Sequence, residues 1–402
     1  MLIIGELPVH FGGGGSIRNE EILKRFKGKL DFEFIPSVIN IRNSLYDNNY
    51  REILIKKIHE LKLNVPYEII NIIDSNKQIS TLKIINKISN VVRENDIIYS
   101  QADVPEDLYL LSKLRGTHKG FLIQGIWFFK NLLEDVKTDY VSNIDIKYNF
   151  IKYFGITIKR SLFRNFVIHY LSKKIDFINT VNPYVPEFTV IKNRGITKNI
   201  VYPGYAIEEC TPFSSNKENY IIYPARTSPT KGFLLLPFIF KKVVDKDTDL
   251  KLYLTVNKDS NFPYKERFLK LIRKFGIENN IEFLGFQHRK RLFEYISRAW
   301  AVLIPSLIDS YELAILESLC LNTIFIGLNI PTLNYLYKDL KPVILANSWR
   351  EISDKIISIY KMKEEDYKSL FLDKKIQDFI NLHKDWNIVA EKELYTFTKL
   401  NI

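Results

Sequence analysis

Cysteine is nearly absent: Cys210 and Cys320 are the only two in 402 residues. Two thiols exclude a disulfide framework and a cysteine-rich metal site, and they fit a reduced, cytoplasmic setting. The six histidines are scattered, with no His-x-x-x-His pair or similar ligand spacing. Long apolar runs are missing too. The longest, FLLLPFIF at 233–240, is too short to span a bilayer and contains Pro237. Any membrane contact is then peripheral. Met1 leads straight into Leu2-Ile3-Ile4 and then glycines, so no signal peptide is expected. There is no short repeat and no low-complexity tail.

Hydrophobic residues make up 46% of the chain and aromatics 13%. That suffices for two cores, and two domains are the natural expectation at this length. The formal charge is +12. Such a surface favours anionic partners: nucleotide phosphates, acidic lipid headgroups or nucleic acid. It does not choose among them.

Strand-like runs alternate with helical patterns. Leu2-Ile3-Ile4, DFEFI (31–35), DIIYS (96–100), GFLIQ (120–124), DFINTV (176–181) and NIVYP (199–203) read as strands. Helical stretches at 80–95 and 105–115 lie between them. The rhythm returns in NYIIYP (219–224), KLYLTV (251–256), IEFLG (281–285), AVLIP (301–305) and TIFIG (323–327). Alternation of this kind predicts parallel, helix-covered sheets, and two series predict an α/β fold of two doubly wound domains. The seam falls near 204–219, a polar stretch with Gly204 and Pro212. From Glu364 to Ile402 the tail reads as mostly helical, with Leu370, Phe371, Ile376, Phe379, Ile380, Trp386 and Val389 on an apolar face.

Three segments carry chemistry. GGGGS at 12–16 follows a strand and precedes an amphipathic stretch with Ser16 as a good N-cap. Glycines there let the backbone approach an anion at a helix start, or they form a plain turn. YPARTSPTKGF at 223–233 places Arg226 and Lys231 in a loop after a strand. Ligands of open parallel sheets bind beyond the carboxyl ends of strands. An Arg with forked donors and a Lys as a point charge can clamp a diphosphate there, or they belong to a solvated basic loop. IPSLIDSYELAILESLCLNT at 304–323 puts Asp309 near a helix entrance and Glu317 two turns in. Carboxylates so placed hold sugar or ribose hydroxyls, or else cap and decorate a helix.

In order and texture these segments resemble retaining glycosyltransferases of the GT-B fold, in family 4 (glycosyl transferases group 1). The family's Gly-Arg…Lys-Gly loop reads ARTSPTKG here. Its "flG" strand and "PS…E-G-F-G-L…lEa" block read IEFLGFQHRKRLFEYISRAWAVLIPSLIDSYELAILESLCLNTIFI. GELPVHFGGGGS matches its opening strand and glycine loop, VYPGYAIEECTP its crossover, and DWNIVAEKEL its closing helix. The resemblance spans nearly the whole chain and is closer in the second half.

It implies a GT-B fold of two Rossmann-like domains with a cleft between them. The acceptor-side domain covers 1–205, the sugar-nucleotide domain 206–380, and a C-terminal helix at 381–402 packs back on the first. It implies a catalytic set of Arg226 and Lys231, gripping the donor diphosphate, and Asp309, facing the donor sugar. Glu317 then holds the ribose, Leu313 and Ala314 open the donor helix, and Phe286 and Gln287 lie near the base. Gly13 and Gly14 form the loop that nears phosphate and acceptor from the other domain. Gln124 stands on the acceptor or sugar side, where many relatives have histidine. The donor is a nucleoside-diphosphate sugar, the acceptor a glycan or lipid-linked glycan, and no cofactor or metal is needed. The donor bond breaks through an oxocarbenium-like state, with the basic pair stabilising the departing diphosphate and the domains closing over it.

Departures from the family pattern are specific. Asp309 is one methylene shorter than the usual glutamate. Glu312 replaces a glycine, and a carboxylate there repels phosphates unless it turns outward. Asn322 replaces another glycine, and asparagine tolerates the same left-handed conformation. Gln124 cannot shuttle a proton at neutral pH but can hydrogen-bond. These changes keep a non-catalytic sugar-nucleotide binder as an alternative.

Residues 146–174 contain Lys147, Lys152, Lys159, Arg160, Arg164, Lys173 and Lys174 with no acid, interleaved with Phe150, Phe154, Phe163 and Phe166. This reads as a face for anionic lipid at the inner side of a membrane, or as an amphipathic domain helix. A nucleotide-dependent oxidoreductase is disfavoured because GGGGS is not G-x-G-x-x-G. No recognised nucleic-acid module appears, so no nucleic-acid partner is expected from charge alone.

Overall fold

The computed structural model describes residues 1–9, 14–75, 77–101, 103–124, 162, 174–184, 196–208, 216–246, 249–262 and 264–399. They divide into two compact units. One holds the N-terminal part up to Ala206 together with the helix that starts at Trp386, and the other runs from Ile207 to Asp385.

The first unit is built on β1 (Leu2–Gly5), β2 (Glu33–Pro36), β3 (Asn95–Ser100), β4 (Gly116–Ile123), β5 (Phe177–Thr180) and β6 (Thr197–Ile200). They form one sheet in the order β2-β1-β3-β4-β5-β6, and every pair is parallel. All four β1 residues, LIIG, are buried. That continuous apolar run marks a strand covered on both faces, as parallel strands are. The chain leaves β1 toward β2 on one side and returns to β3 on the other. This switch point is where open α/β sheets take ligands, and helix Gly14–Phe26 follows β1 in the chain.

Helix Trp386–Thr398 completes this unit. The Phe397 ring meets those of Phe26, Tyr99 and Phe177 edge-on, with centroids 6.0, 5.1 and 6.0 Å away. Edge-on contact sets the positive rim of one ring against the negative face of another. The helix also contributes Glu393, paired with Arg18 at 2.5 Å with neither side chain exposed.

The second unit contains β7 (Tyr220–Tyr223), β8 (Lys251–Leu254), β9 (Ile281–Phe283), β10 (Ala301–Leu303), β11 (Ile324–Leu328) and β12 (Val343–Ala346). Their order is β12-β11-β10-β7-β8-β9, again wholly parallel. Counted within the unit this is the 3-2-1-4-5-6 order of dinucleotide-binding sheets, with its switch point between β7 and β10. FLLLPFIF is helical: a short 3₁₀ turn, Phe233–Leu235, runs into helix Leu236–Val244. Pro237 falls in the first turn, where no N–H is required of it.

Two local differences have clear causes. NIVYP pairs in the sheet to Ile200, and the Val201 N–H still donates to the Thr180 carbonyl at 2.9 Å; Pro203, with no N–H, cannot carry the ladder further. β12 is a short edge strand without a period-2 pattern to mark it. Cys320 is disulfide-bonded, not a reduced thiol. No helix among the described residues is long and apolar enough to cross a membrane. Apart from Leu162 and Lys174, the basic 146–174 stretch lies outside the described residues.

Candidate functional site

The strands flanking the second switch point, β7 and β10, each end in a loop, and the two loops are tied together. Leu307 N–H donates to the Thr230 carbonyl at 2.8 Å. The Tyr223 hydroxyl, at the end of β7, donates to the Arg226 carbonyl at 2.6 Å. Gly232 closes the first loop with φ 67°, and a Cβ there would lie 2.1 Å from the Pro305 carbonyl oxygen. Only glycine satisfies both the left-handed backbone and the close approach. Gly232 therefore presses Lys231 against the second loop. Gly232→Ala is expected to destabilise the second unit by roughly 2–5 kcal/mol, from backbone strain plus overlap. Urea denaturation measures this, and an unshifted transition would remove the packing role.

Lys231 Nζ meets two carboxylates: Asp309 Oδ2 at 2.5 Å and Glu312 Oε2 at 2.7 Å. Glu312 Oε2 also accepts from the Ser306 hydroxyl at 2.8 Å. Asp309 Oδ1 accepts from the backbone N–H of Tyr311 at 2.9 Å and of Glu312 at 2.7 Å. Burial alone would lower the Lys231 pKa, but the two acids reverse this and hold the ammonium above its usual range. Burial would raise Asp309; Lys231 and the two N–H donors outweigh it and keep that carboxyl below the carboxylate range. Glu312 has no such backbone donors. Burial, opposed by Lys231 but reinforced by the Asp309 charge, pushes it up, to about 7.

Glu312 has φ 52°, in the left-handed region, immediately before helix Leu313–Cys320. This is a conformation that glycine, the residue of the family pattern, adopts without strain. Its side chain turns inward onto Lys231, where the sequence expectation was that a tolerated carboxylate turns outward. The loop is braced from behind. Thr332 Oγ1 donates to the Asp309 carbonyl at 2.5 Å, and Tyr337 Oη to the Tyr311 carbonyl at 2.6 Å. His383 Nδ1 lies 2.8 Å from the Phe379 carbonyl, so Nδ1 carries the proton and Nε2 accepts from Tyr311 Oη at 2.8 Å. Burial lowers His383 to about 4, so this brace is uncharged at neutral pH.

Arg226 is exposed on the first loop. Glu317 lies on the Leu313–Cys320 helix, with Arg289 Nη1 3.8 Å away; burial raises its pKa against the pull of Arg289. Ala314 is buried and Leu313 half-buried on the same helix. Phe286 is 56% exposed, and Gln287 Nε2 donates to the Leu284 carbonyl at 2.7 Å. Lys231 and Asp309 meet, then, while Glu317 is drawn to Arg289. Ser306 completes the cluster; its place in the Pro-Ser pair after β10 is the signal that marks it in sequence. Asn322 has φ 51°, the left-handed conformation that asparagine tolerates.

In the first unit Gly14 opens helix Gly14–Phe26, and Gly13 lies outside the described residues. Gln124 donates through Nε2 to Asn19 Oδ1 at 2.8 Å and to the Gln101 carbonyl at 2.7 Å. Its Oε1 accepts from Tyr205 Oη at 3.1 Å. Both amide hydrogens are engaged, so Gln124 ties the ends of β3 and β4 to that helix. A cavity of about 500 Å³, lined by Lys27, Asp31, Lys62 and Asn64 among others, opens at the amino end of β2, the wrong end of the strand for ligands of such sheets. Among the described residues no cluster of His, Cys, Asp and Glu is placed to hold a metal ion.

Residues 211–370, the greater part of the second unit, match the family described as glycosyl transferases group 1. No curated protein matches the chain in sequence. The fold is similar to that of Anabaena HepE, solved in complex with UDP-glucose: TM-score 0.66, 11% identity, 99% of each chain covered. It is also similar to sucrose-phosphate synthase of Thermosynechococcus elongatus, with TM-score 0.64, 11% identity, and 99% of this chain and 98% of that one covered. S. aureus TarM, solved with UDP, gives TM-score 0.56 at 16% identity over 78% of this chain. The chain spans 58% of the length of that protein.

Proposed function

We propose that this chain, whose residues 211–370 match the group 1 glycosyltransferases and whose fold is similar to that of HepE, is a glycosyltransferase that moves a hexosyl group from a nucleoside-diphosphate sugar to a glycan or lipid-linked glycan acceptor. The observation that carries the reading is the Lys231–Asp309 contact at the switch point of a dinucleotide-type sheet. In this reading the ammonium is the fixed positive charge for the departing diphosphate, and the exposed Arg226 adds forked donors from the same loop. Asp309 faces the donor sugar and Glu317 takes the ribose hydroxyls. HepE and TarM were solved with UDP or UDP-glucose, which supports a UDP-sugar donor. The family resemblance supports retention of anomeric configuration and transfer without a metal. The basic, aromatic 146–174 stretch supports an anionic lipid surface as the place where a lipid-linked acceptor is met.

A thermal-shift panel of UDP-glucose, GDP-mannose and ADP-glucose tests the donor, since a ligand that binds the folded state raises the unfolding temperature. UDP-glucose is expected to give the largest rise. Proton NMR of the first-formed product reads the anomeric outcome. No rise with any of the three would count against the donor assignment, and an inverted product against retention.

A further inference from the structure

We propose that Glu312 is a built-in competitor for the donor diphosphate: binding at Lys231 exchanges its carboxylate for a phosphate and takes up one proton on Glu312. The inference rests on the donor reading above and adds its regulation by pH.

The geometry is that of an occupied anion site. Glu312 Oε2 lies 2.7 Å from the ammonium, and its side chain is only 4% exposed. Ser306 gives the same oxygen a second donor at 2.8 Å. A carboxylate oxygen with two donors at these distances is what a bound phosphate oxygen would look like. The residue sits at a left-handed position, φ 52°, where glycine would be the unstrained choice. A side chain at such a position calls for a reason, and the Lys231 contact supplies one.

Charge counting fixes the direction. Lys231 carries one positive charge, and Asp309 and Glu312 both reach it. Bringing a diphosphate against this cluster adds two negative charges in a largely buried site, which disfavours further ionised acids. One acid must be neutralised or leave. Asp309 keeps its charge because two backbone N–H groups donate to it. Glu312 has only the hydroxyl and the shared ammonium. Among the described residues the Tyr223 phenol at the end of β7 also feels the Glu312 charge, with a milder opposing pull from Arg226. Tyr223 stays protonated throughout the neutral range because burial, foremost, and then Glu312 raise it. Glu312 is therefore the group that titrates, and burial already raises it to about 7 in the free protein. No covalent bond changes. A solvent proton goes to the Glu312 carboxylate, Lys231 keeps its three protons, and its freed N–H donates to phosphate.

Isothermal titration with UDP-glucose tests this, because its diphosphate has no ionisation near neutrality. GDP-mannose and ADP-glucose serve in its place if they bind better. Titrations at about pH 6.5 and about pH 8.5, in buffers of different ionisation heat, give affinity and protons taken up together. The parent is expected to lose up to about tenfold in affinity per pH unit above the Glu312 pKa, with close to one proton taken up at the higher pH. Glu312→Gln keeps the side chain's size, and Glu312→Gly suits the backbone, so failure to fold does not mask the result. Both are expected to bind without proton uptake, with affinity flat across that range. At about pH 8.5 both should bind roughly tenfold or more tighter than the parent. Donor binding with no proton uptake in the parent, or with equal pH slopes in parent and variants, overturns the proposal and leaves the donor reading standing. No binding of any of the three nucleotides to parent or variants overturns both.

Discussion

Glu393→Ala is expected to destabilise the first unit by about 3–5 kcal/mol, the cost of leaving one member of a buried ion pair uncompensated. Arg18 and Glu393 are both wholly inaccessible to solvent. Arg18 Nε also donates to the Gly204 carbonyl at 2.7 Å, and Tyr99 Oη donates to Glu393 Oε1 at 2.8 Å. Burial would lower the Arg18 pKa, but Glu393 more than reverses this; without a partner the guanidinium still does not give up its proton, because arginine is not deprotonated in proteins. Truncation strands that charge and removes the acceptor of a buried phenol. Glu393→Gln keeps an acceptor for Tyr99 and should fall between the two. Urea denaturation gives the magnitude, and amide exchange gives the location: helices Gly14–Phe26 and Trp386–Thr398 should lose protection first. An unchanged midpoint with unchanged exchange would show that the pair contributes nothing.

That pair illustrates what a sequence can conceal. Arg18 reads as a surface residue on an amphipathic helix, and Glu393 as one more acid in the tail; their partnership spans nearly the whole chain and exists only once the sheet has formed. Strands were legible where they are central, because LIIG and YIIY are buried on both faces and carry no polar residue to dilute the pattern. The edges were less so: β12 has no alternation, and β6 ends before the apolar run of NIVYP does. Lys231 and Asp309 were legible from their places after two strand ends, since sheet topology brings such ends together. The side-chain direction of Glu312 was not. A left-handed residue before a helix can aim its carboxylate outward or inward, and the choice is made by Ser306 in the same loop and by Lys231, which arrives from the end of another strand. Gln124 shows another limit: its place in the motif does not reveal that both amide hydrogens are engaged by Asn19 and the Gln101 carbonyl.

Lys231→Ala is expected to lower donor affinity by roughly tenfold to a hundredfold, the worth of a charge-assisted hydrogen bond at about 1.5–3 kcal/mol. It should also change how stability depends on pH. In the parent, Lys231 is raised above its usual range, so its contribution is present at neutral pH and is lost only as pH climbs through its folded value. Asp309 is lowered, so its contribution is present above the unfolded carboxyl pKa and lost as pH falls. Glu312 is raised, so its contribution is fully present below about 4.5 and is lost as pH rises through about 7. Removing the ammonium leaves two buried carboxylates sharing one site, and both pKa values must then rise. The variant should therefore be relatively more stable at about pH 5 than at about pH 8, and urea denaturation at the two values reads the difference. Adding Glu312→Gln removes one of the stranded charges and should restore much of the stability at the higher pH. It should not restore donor affinity, because no cation has returned to meet the diphosphate. Recovery of stability without recovery of binding separates the two roles of Lys231. UDP-glucose affinity within about twofold of the parent in the single variant would mean that the ammonium serves only the fold, for it would then contribute far less than one charge-assisted bond.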